Sequence, residues 1–181
     1  LISLKPQHIS AYSLMYEEGT PLLKLLEDGK GTEINENTSL EMYKKLVYLT
    51  HQSGYEHYEI SNFARPGFKA KHNTSYWEDK PYIGIGAGAH GYNNLGELTR
   101  HSNLCDVHEY LSQISMNKLA EEVEYIDEVT HYNDLITTQL RTAKGIDTKL
   151  LSEPFADYIK KESASHIASG KLILDGSRLY L

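Results

Sequence analysis

The sequence predicts an α/β protein whose chain closes on a small helical module with a terminal hairpin. Three observations carry this reading. Strand-like stretches alternate with amphipathic helical ones over residues 1–116, the pattern turns helical near Asn117, and the last eleven residues alternate leucines about an Asp-Gly pair. The expected division is therefore an α/β unit over 1–116 and a winged-helix-like C-terminal domain over 117–181.

In chain order, Ile9 to Tyr16 reads as a strand with apolar members on both faces, as in a sheet or barrel covered on two sides. Glu17-Glu18-Gly19-Thr20-Pro21 ends it, and Leu22 to Leu26 forms a short helical piece. A stronger helix is expected from Thr38 to Ser53, capped by Asn37, with Leu40, Tyr43, Leu46, Val47 and Thr50 on one face and Gly54 turning the chain off. Tyr55 to Phe63 reads as a second strand, broken by Pro66-Gly67. Tyr82 to Ala89 reads as a third, built of small residues that permit close backbone approach, and Leu98 to Arg100 as a short fourth. Val107 to Ile114 is helical, as is Glu121 to Ala143. Asp147 caps a short helix, and Ser152-Glu153-Pro154 opens another whose stripe is Phe155, Tyr158, Ile159 and Ile167. Leu172 and Leu174, Asp175-Gly176, then Leu179 and Leu181 describe a tight hairpin.

Composition excludes several function classes. Eighteen basic against 25 acidic side chains give a net charge of −7, which repels phosphate backbones, so nucleic acid is not an expected partner. Cys105 is the single cysteine, which rules out an internal disulfide and a CxxC metal site. No apolar run reaches the ~18–20 residues of a membrane span and no secretory signal opens the chain, so a cytoplasmic, reducing compartment is expected. Leu1 in place of Met and the hairpin running to the final residue suggest a piece of a longer parent.

Two motifs lose their first meaning on inspection. Gly84-Ile85-Gly86-Ala87-Gly88-Ala89 nearly matches a dinucleotide fingerprint, but Gly91, Asn93, Asn94 and Gly96 oppose the helix whose N–H groups would hold a pyrophosphate. Nine histidines include no H-x-x-x-H or H-E-x-x-H pair, so a zinc site is not expected. A third segment keeps its interest. His72-Asn73-Thr74-Ser75-Tyr76-Trp77 gathers an imidazole and two large aromatics, which suit haem iron and the face of a macrocycle. Arg65, Lys69 and Lys71 precede it and could pair with carboxylates on the rim of such a ligand.

Four strings, HISAYSLMYEEGTP (His8 to Pro21), YEISNFARPG (Tyr58 to Gly67), HNTSYW (His72 to Trp77) and YIGIGAGAHG (Tyr82 to Gly91), occur in one order along the chain. Together they resemble the radical S-adenosylmethionine (SAM) family of oxygen-independent coproporphyrinogen III oxidases. They look closest to its haem-chaperone branch, where an HNxxYW motif is associated with haem binding. The resemblance implies the C-terminal strands and helices of a partial (β/α) radical SAM barrel, followed by the winged-helix-like domain. It implies a parent with a 4Fe–4S cluster on a CxxxCxxC motif and SAM on the iron left open by three thiolates. Cys105 alone cannot hold that cluster, so this chain by itself is expected to be inert, whatever oxidoreductase chemistry the parent performs.

Carried over by position, Leu14 and Met15 would end a barrel strand and border SAM. Glu59, Ser61 and Asn62 would line the barrel mouth. His72 would ligate haem iron with Tyr76 and Trp77 in support, and Gly84, Gly86 and Gly88 would form a glycine strand beside the cavity, running to His90. The function so implied is a haem chaperone that passes haem to an acceptor protein, with the porphyrinogen-decarboxylating oxidase as the alternative. A winged-helix nucleic-acid or protein-binding module is the other alternative. It is disfavoured for DNA by eleven acidic and seven basic residues from Glu121 to Leu181. A barrel missing its early strands would expose a sheet edge, so a dimer along that edge is also expected.

Overall fold

The computed structural model describes residues 1–181, which divide into two compact units, Leu1–Ala70 and Lys71–Leu181. The division expected at 116/117 falls inside the second unit. Every strand pair is antiparallel, in three three-stranded sheets.

The first unit contains β1 (His8–Ser10), α1 (Pro21–Glu27), α2 (Glu36–Gln52), β2 (Glu56–Glu59) and β3 (Asn62–Ala64), with sheet order β1-β3-β2. Strand β1 is shorter than the eight residues expected, because its only partner, β3, is three residues long. Ala11 still donates its N–H to the Ser61 carbonyl at 2.8 Å, and from Tyr12 to Tyr16 the chain has no regular structure. The strand expected from Tyr55 to Phe63 is a hairpin instead. It turns at Ile60-Ser61 without a glycine, because the Glu59 carboxylate accepts from the Ser61 N–H (3.0 Å) and from Asn62 Nδ2 (2.5 Å). Helix α2 starts earlier than expected: Asn35, not Asn37, caps it, accepting from Thr38 N–H at 2.9 Å, and Glu36 then faces the positive helix end. Tyr43, Leu46, Val47 and Thr50 of its predicted stripe are wholly or partly buried, while Leu40 is exposed. Ile9, Tyr55 and Phe63 form the core against Ala11, Leu46 and Val47, with His57 stacked on Phe63 at 4.5 Å.

The second unit runs α3 (Lys71–Trp77), β4 (His90–Asn93), β5 (Thr99–Asn103), α4 (Val107–Ser115), β6 (Glu121–Tyr125), α5 (Glu128–Gln139), β7 (Ile146–Asp147), a 3-10 turn (Thr148–Leu150), α6 (Glu153–Ala168), β8 (Ile173–Asp175) and β9 (Arg178–Tyr180). Glu121 to Tyr125, expected as helix, is a strand: it pairs residue for residue with β5, and the helix begins only after Asp127, whose carboxylate accepts from Thr130 N–H at 2.7 Å. Tyr82 to Ala89, expected as strand, pairs only at Tyr82 with Tyr92; Gly86 and Gly88 take positive φ and turn the chain away before β4.

The last sheet has the order β7-β9-β8, and Ile146, Leu179, Tyr132 and Ile159 form its core with Phe155, which stacks on Tyr132 at 4.7 Å. Tyr158, expected on the buried stripe of α6, is exposed and touches Tyr132 by its edge. The terminal hairpin forms as expected, but its two-residue loop is Gly176-Ser177, because Asp175 already pairs with Arg178. Only Gly176 has positive φ, which suits a turn with glycine in the first central position.

Gly145 is the tightest point of this core. Its φ is +63°, and a Cβ there would sit 2.2 Å from the Leu179 carbonyl oxygen. Gly145→Ala is expected to destabilise the protein by about 2 kcal/mol or more. Gly176→Ala, also at positive φ but in open space, should cost only about 1 kcal/mol. Urea unfolding of both variants checks this, and equal losses would contradict the role of the Leu179 contact.

Candidate functional site

The HNTSYW string folds as α3, a short helix at the start of the second unit. Its residues stand four apart where their side chains meet: Tyr76 Oη lies 2.8 Å from His72 Nε2, and the two rings pack edge-on with centroids 4.8 Å apart. Both side chains are exposed, and Trp77 is half-buried. Tyr76 meets Tyr82 at 4.6 Å with perpendicular rings, and Tyr82 meets Tyr92 at 6.2 Å. An aromatic chain therefore leads from the exposed imidazole to the face of strand β4.

A helix this short does not hold itself, and the residues after it supply the fastening. Asp79 has φ +55°, a left-handed conformation that aspartate tolerates better than most residues. Its carboxylate accepts from Tyr92 Oη at 2.6 Å and from His131 Nε2, on α5, at 3.0 Å. Its backbone carbonyl accepts from Asn94 Nδ2 at 2.5 Å. Next to it, Glu78 pairs with Lys80 at 2.6 Å and Lys144 at 3.0 Å, and both hydrogen bonds hold its carboxyl below the usual range. Burial and the adjoining Asp79 carboxylate push the Tyr92 hydroxyl well above an ordinary tyrosine.

Beyond Tyr82 lies a cavity of about 470 Å³, walled by Tyr82, Gly84, Gly91, Tyr92, His101 and Glu121 among others. His101 Nδ1 is 3.2 Å from Glu121 Oε2 and its Nε2 is 3.0 Å from Thr99 Oγ1. The carboxylate can only accept, so Nδ1 carries a hydrogen, and the threonine hydroxyl, which can donate or accept, meets Nε2 on the other side of the ring. Gly84 explains the small residues here: a Cβ on it would come 2.3 Å from the His90 carbonyl oxygen. Gly86 and Gly88 serve the turn of the chain, and Asn103 Nδ2 bonds the Gly86 carbonyl at 2.8 Å. His90 is exposed, with Nδ1 3.1 Å from Ser102 Oγ.

The remaining predicted residues lie in the first unit. Leu14 and Met15 are exposed in the segment without regular structure. Glu59 and Asn62 are almost wholly buried, at 2% and 1% exposure, and bond to each other; Ser10 Oγ donates to Asn62 Oδ1 at 2.7 Å. Ser61 is buried beside them. Of the cations, Lys69 pairs with Glu56 at 2.8 Å and Arg65 lies over the Tyr55 ring.

The whole chain is 32% identical to the haem chaperone HemW of Lactococcus lactis over 184 residues, 99% of this chain and 48% of that one. It is 32% identical over 155 residues to HemW of Bacillus subtilis, covering 85% of this chain and 40% of the relative. A zebrafish (Danio rerio) relative, the mitochondrial radical S-adenosyl methionine domain-containing protein 1, is 42% identical over 91 residues, half of this chain and 20% of its own. Among solved structures, the fold matches the radical SAM coproporphyrinogen III oxidase of Escherichia coli with a TM-score of 0.68 at 16% identity, over 99% of this chain and 45% of the enzyme. The chain belongs to the oxygen-independent coproporphyrinogen III oxidase-like radical SAM family. No family model matches it, and it spans about half the length of the relatives it matches. Its one cysteine, Cys105, is exposed, and no three histidine, cysteine or carboxylate side chains gather in a way that could hold a metal ion, so the residues present do not fit the family's iron–sulfur cluster.

Sequence reasoning missed Asp79, Tyr82, Tyr92 and His131 as parts of the site. His131 was readable only as a surface histidine of a helix, since its partner lies 52 residues away. Tyr92→Phe is expected to cost about 1–3 kcal/mol at neutral pH by leaving Asp79 one donor short. In the parent chain the folded state keeps the Tyr92 proton above about pH 10, where an unfolded tyrosine ionises, so the folded state binds more protons and stability falls as pH rises. Thermal unfolding from about pH 8 to 11 should show a shallower alkaline fall in Tyr92→Phe. Identical slopes would remove Tyr92 from this role.

Proposed function

We propose that the chain is the haem-handling part of a haem chaperone, with His72 as the residue that would hold the haem iron. The observation that supports this best is the exposed imidazole on α3, packed at a steep angle against Tyr76, whose ring in turn meets Tyr82 at right angles. Imidazole is the commonest protein ligand of haem iron in oxygen-binding and peroxidase sites, and tyrosine rings can lie against a macrocycle. Lys71, exposed one residue before His72, is a cation at hand for a haem propionate. The names of the relatives that align along the chain point the same way.

The 4Fe–4S cluster and SAM belong, in this reading, to the whole protein, where they supply reductive cleavage of SAM to a radical. Leu14 and Met15 would then border SAM, and Glu59 and Asn62 would fix the rim of the barrel by bonding each other. Gly84, Gly86 and Gly88 would let the backbone pass close beside the cavity. The segment 117–181 opens with β6, which pairs with β5, and from α5 onward it runs helix, short strand, helical turn, helix and hairpin, an order that supports a winged-helix-like reading of that part. We read it as a lid or docking surface for an acceptor protein, in a cytoplasmic chaperone, since the net charge of −4 from Glu121 to Leu181 disfavours DNA. Self-association through the β1 edge belongs to the same reading. No helix is long and apolar enough to cross a membrane.

Haem titration followed at the Soret band tests the proposal. His72→Ala should weaken binding by about 10-fold or more and change the band position. An unaltered band and affinity would remove the ligand.

A further inference from the structure

The nitrogen that His72 would offer to iron is already engaged. Of its two ring nitrogens, Nε2 projects furthest from the backbone and is the one that a broad, flat macrocycle can approach without striking the helix. That atom is 2.8 Å from Tyr76 Oη, within hydrogen-bond distance. The tyrosine has no freedom to be elsewhere by accident: it stands one helical turn on, and its ring is seated at right angles against Tyr82, 4.6 Å away. Tyr82 itself bridges to Tyr92, whose hydroxyl is fixed on Asp79. Thus the hydroxyl that covers Nε2 is positioned by a run of packed rings that ends in the Asp79 anchor.

We propose that Tyr76 is a gate on His72: its hydroxyl caps Nε2 in the ligand-free protein and must be released before the nitrogen can bind iron. This rests on the haem reading of His72 and adds a role that simple aromatic support would not have. A supporting ring contributes through its face, which phenylalanine retains. A cap acts through the hydroxyl and opposes binding, so its loss strengthens the complex. A hydrogen bond of ordinary net strength at an exposed position sets the size of the effect at about 2- to 10-fold in affinity. For a carrier such a cap keeps the exposed imidazole from holding its cargo too tightly, because the hydroxyl can return to Nε2 as the haem leaves.

Two measurements on the full chain test the gate. In the ligand-free protein, ¹⁵N spectra of the histidine rings should show the His72 Nε2 signal shift in Tyr76→Phe, while far-ultraviolet circular dichroism shows the fold retained. In haem titrations, Tyr76→Phe should bind about 2- to 10-fold more tightly than the parent and associate faster, and His72→Ala should lose the complex. If His72→Ala binds like the parent, the haem reading itself is wrong, whatever the spectra show. If His72→Ala loses binding while Tyr76→Phe binds equally or more weakly, or if the Nε2 signal does not move, the gate is refuted and His72 remains the ligand.

Discussion

The position of α3 depends on one carboxylate. Seven residues of helix make too few internal hydrogen bonds to persist alone, so the exposed His72 is only as well placed as the chain end that follows it. Asp79 fixes that end from three directions: a tyrosine hydroxyl from β4, an imidazole from α5 and, through its backbone carbonyl, the Asn94 amide. The left-handed backbone at Asp79 turns the chain sharply enough for all three to converge. Glu78, as shielded as Asp79, adds two lysine contacts, but both lysines are largely solvent-exposed, so these pairs contribute less than the Asp79 set, whose partners are half-buried.

That anchor links the helical tail to the site by direct bonding. His131 belongs to α5, whose Tyr132 is a core residue of the terminal sheet, so the same helix packs the tail with one residue and grips α3 with the one before it. Neighbouring positions on a helix point about 100° apart, which lets His131 and Tyr132 serve different surfaces. A change that loosens the terminal core at Gly145 or Leu179 would therefore reach α3 through α5.

How much of this was legible in the residues follows from the range of each interaction. The helices were readable because their signals are local: Asp147 caps the turn after it, Gly54 ends α2 in a left-handed residue, and the Asp-Gly pair marks the terminal hairpin. The HNTSYW string could be singled out as a candidate site for the same reason, since its parts lie within six residues. Errors arose where a partner was distant or a side chain did a backbone's work. Glu121 to Tyr125 carries three glutamates that favour helix, and only pairing with β5 makes it a strand. The Ile60-Ser61 turn has no glycine because Glu59 supplies its acceptors, a substitution that no turn rule anticipates.

The glycine run shows the same distinction at one position. Its small residues do permit close backbone approach, as the sequence suggested, but at Gly84 against His90, six residues on, and not along a strand. The run folds back on itself, with Gly86 and Gly88 making the turn, and so opens the space beneath Tyr82 that becomes the cavity. Ile83 and Ile85, between the glycines, are left 88% and 89% exposed. These two isoleucines are an exposed apolar edge next in sequence to Tyr82, the ring that Tyr76 meets. The segment thus serves two ends at once, closing the backbone of the second unit and setting the aromatic chain that leads to His72.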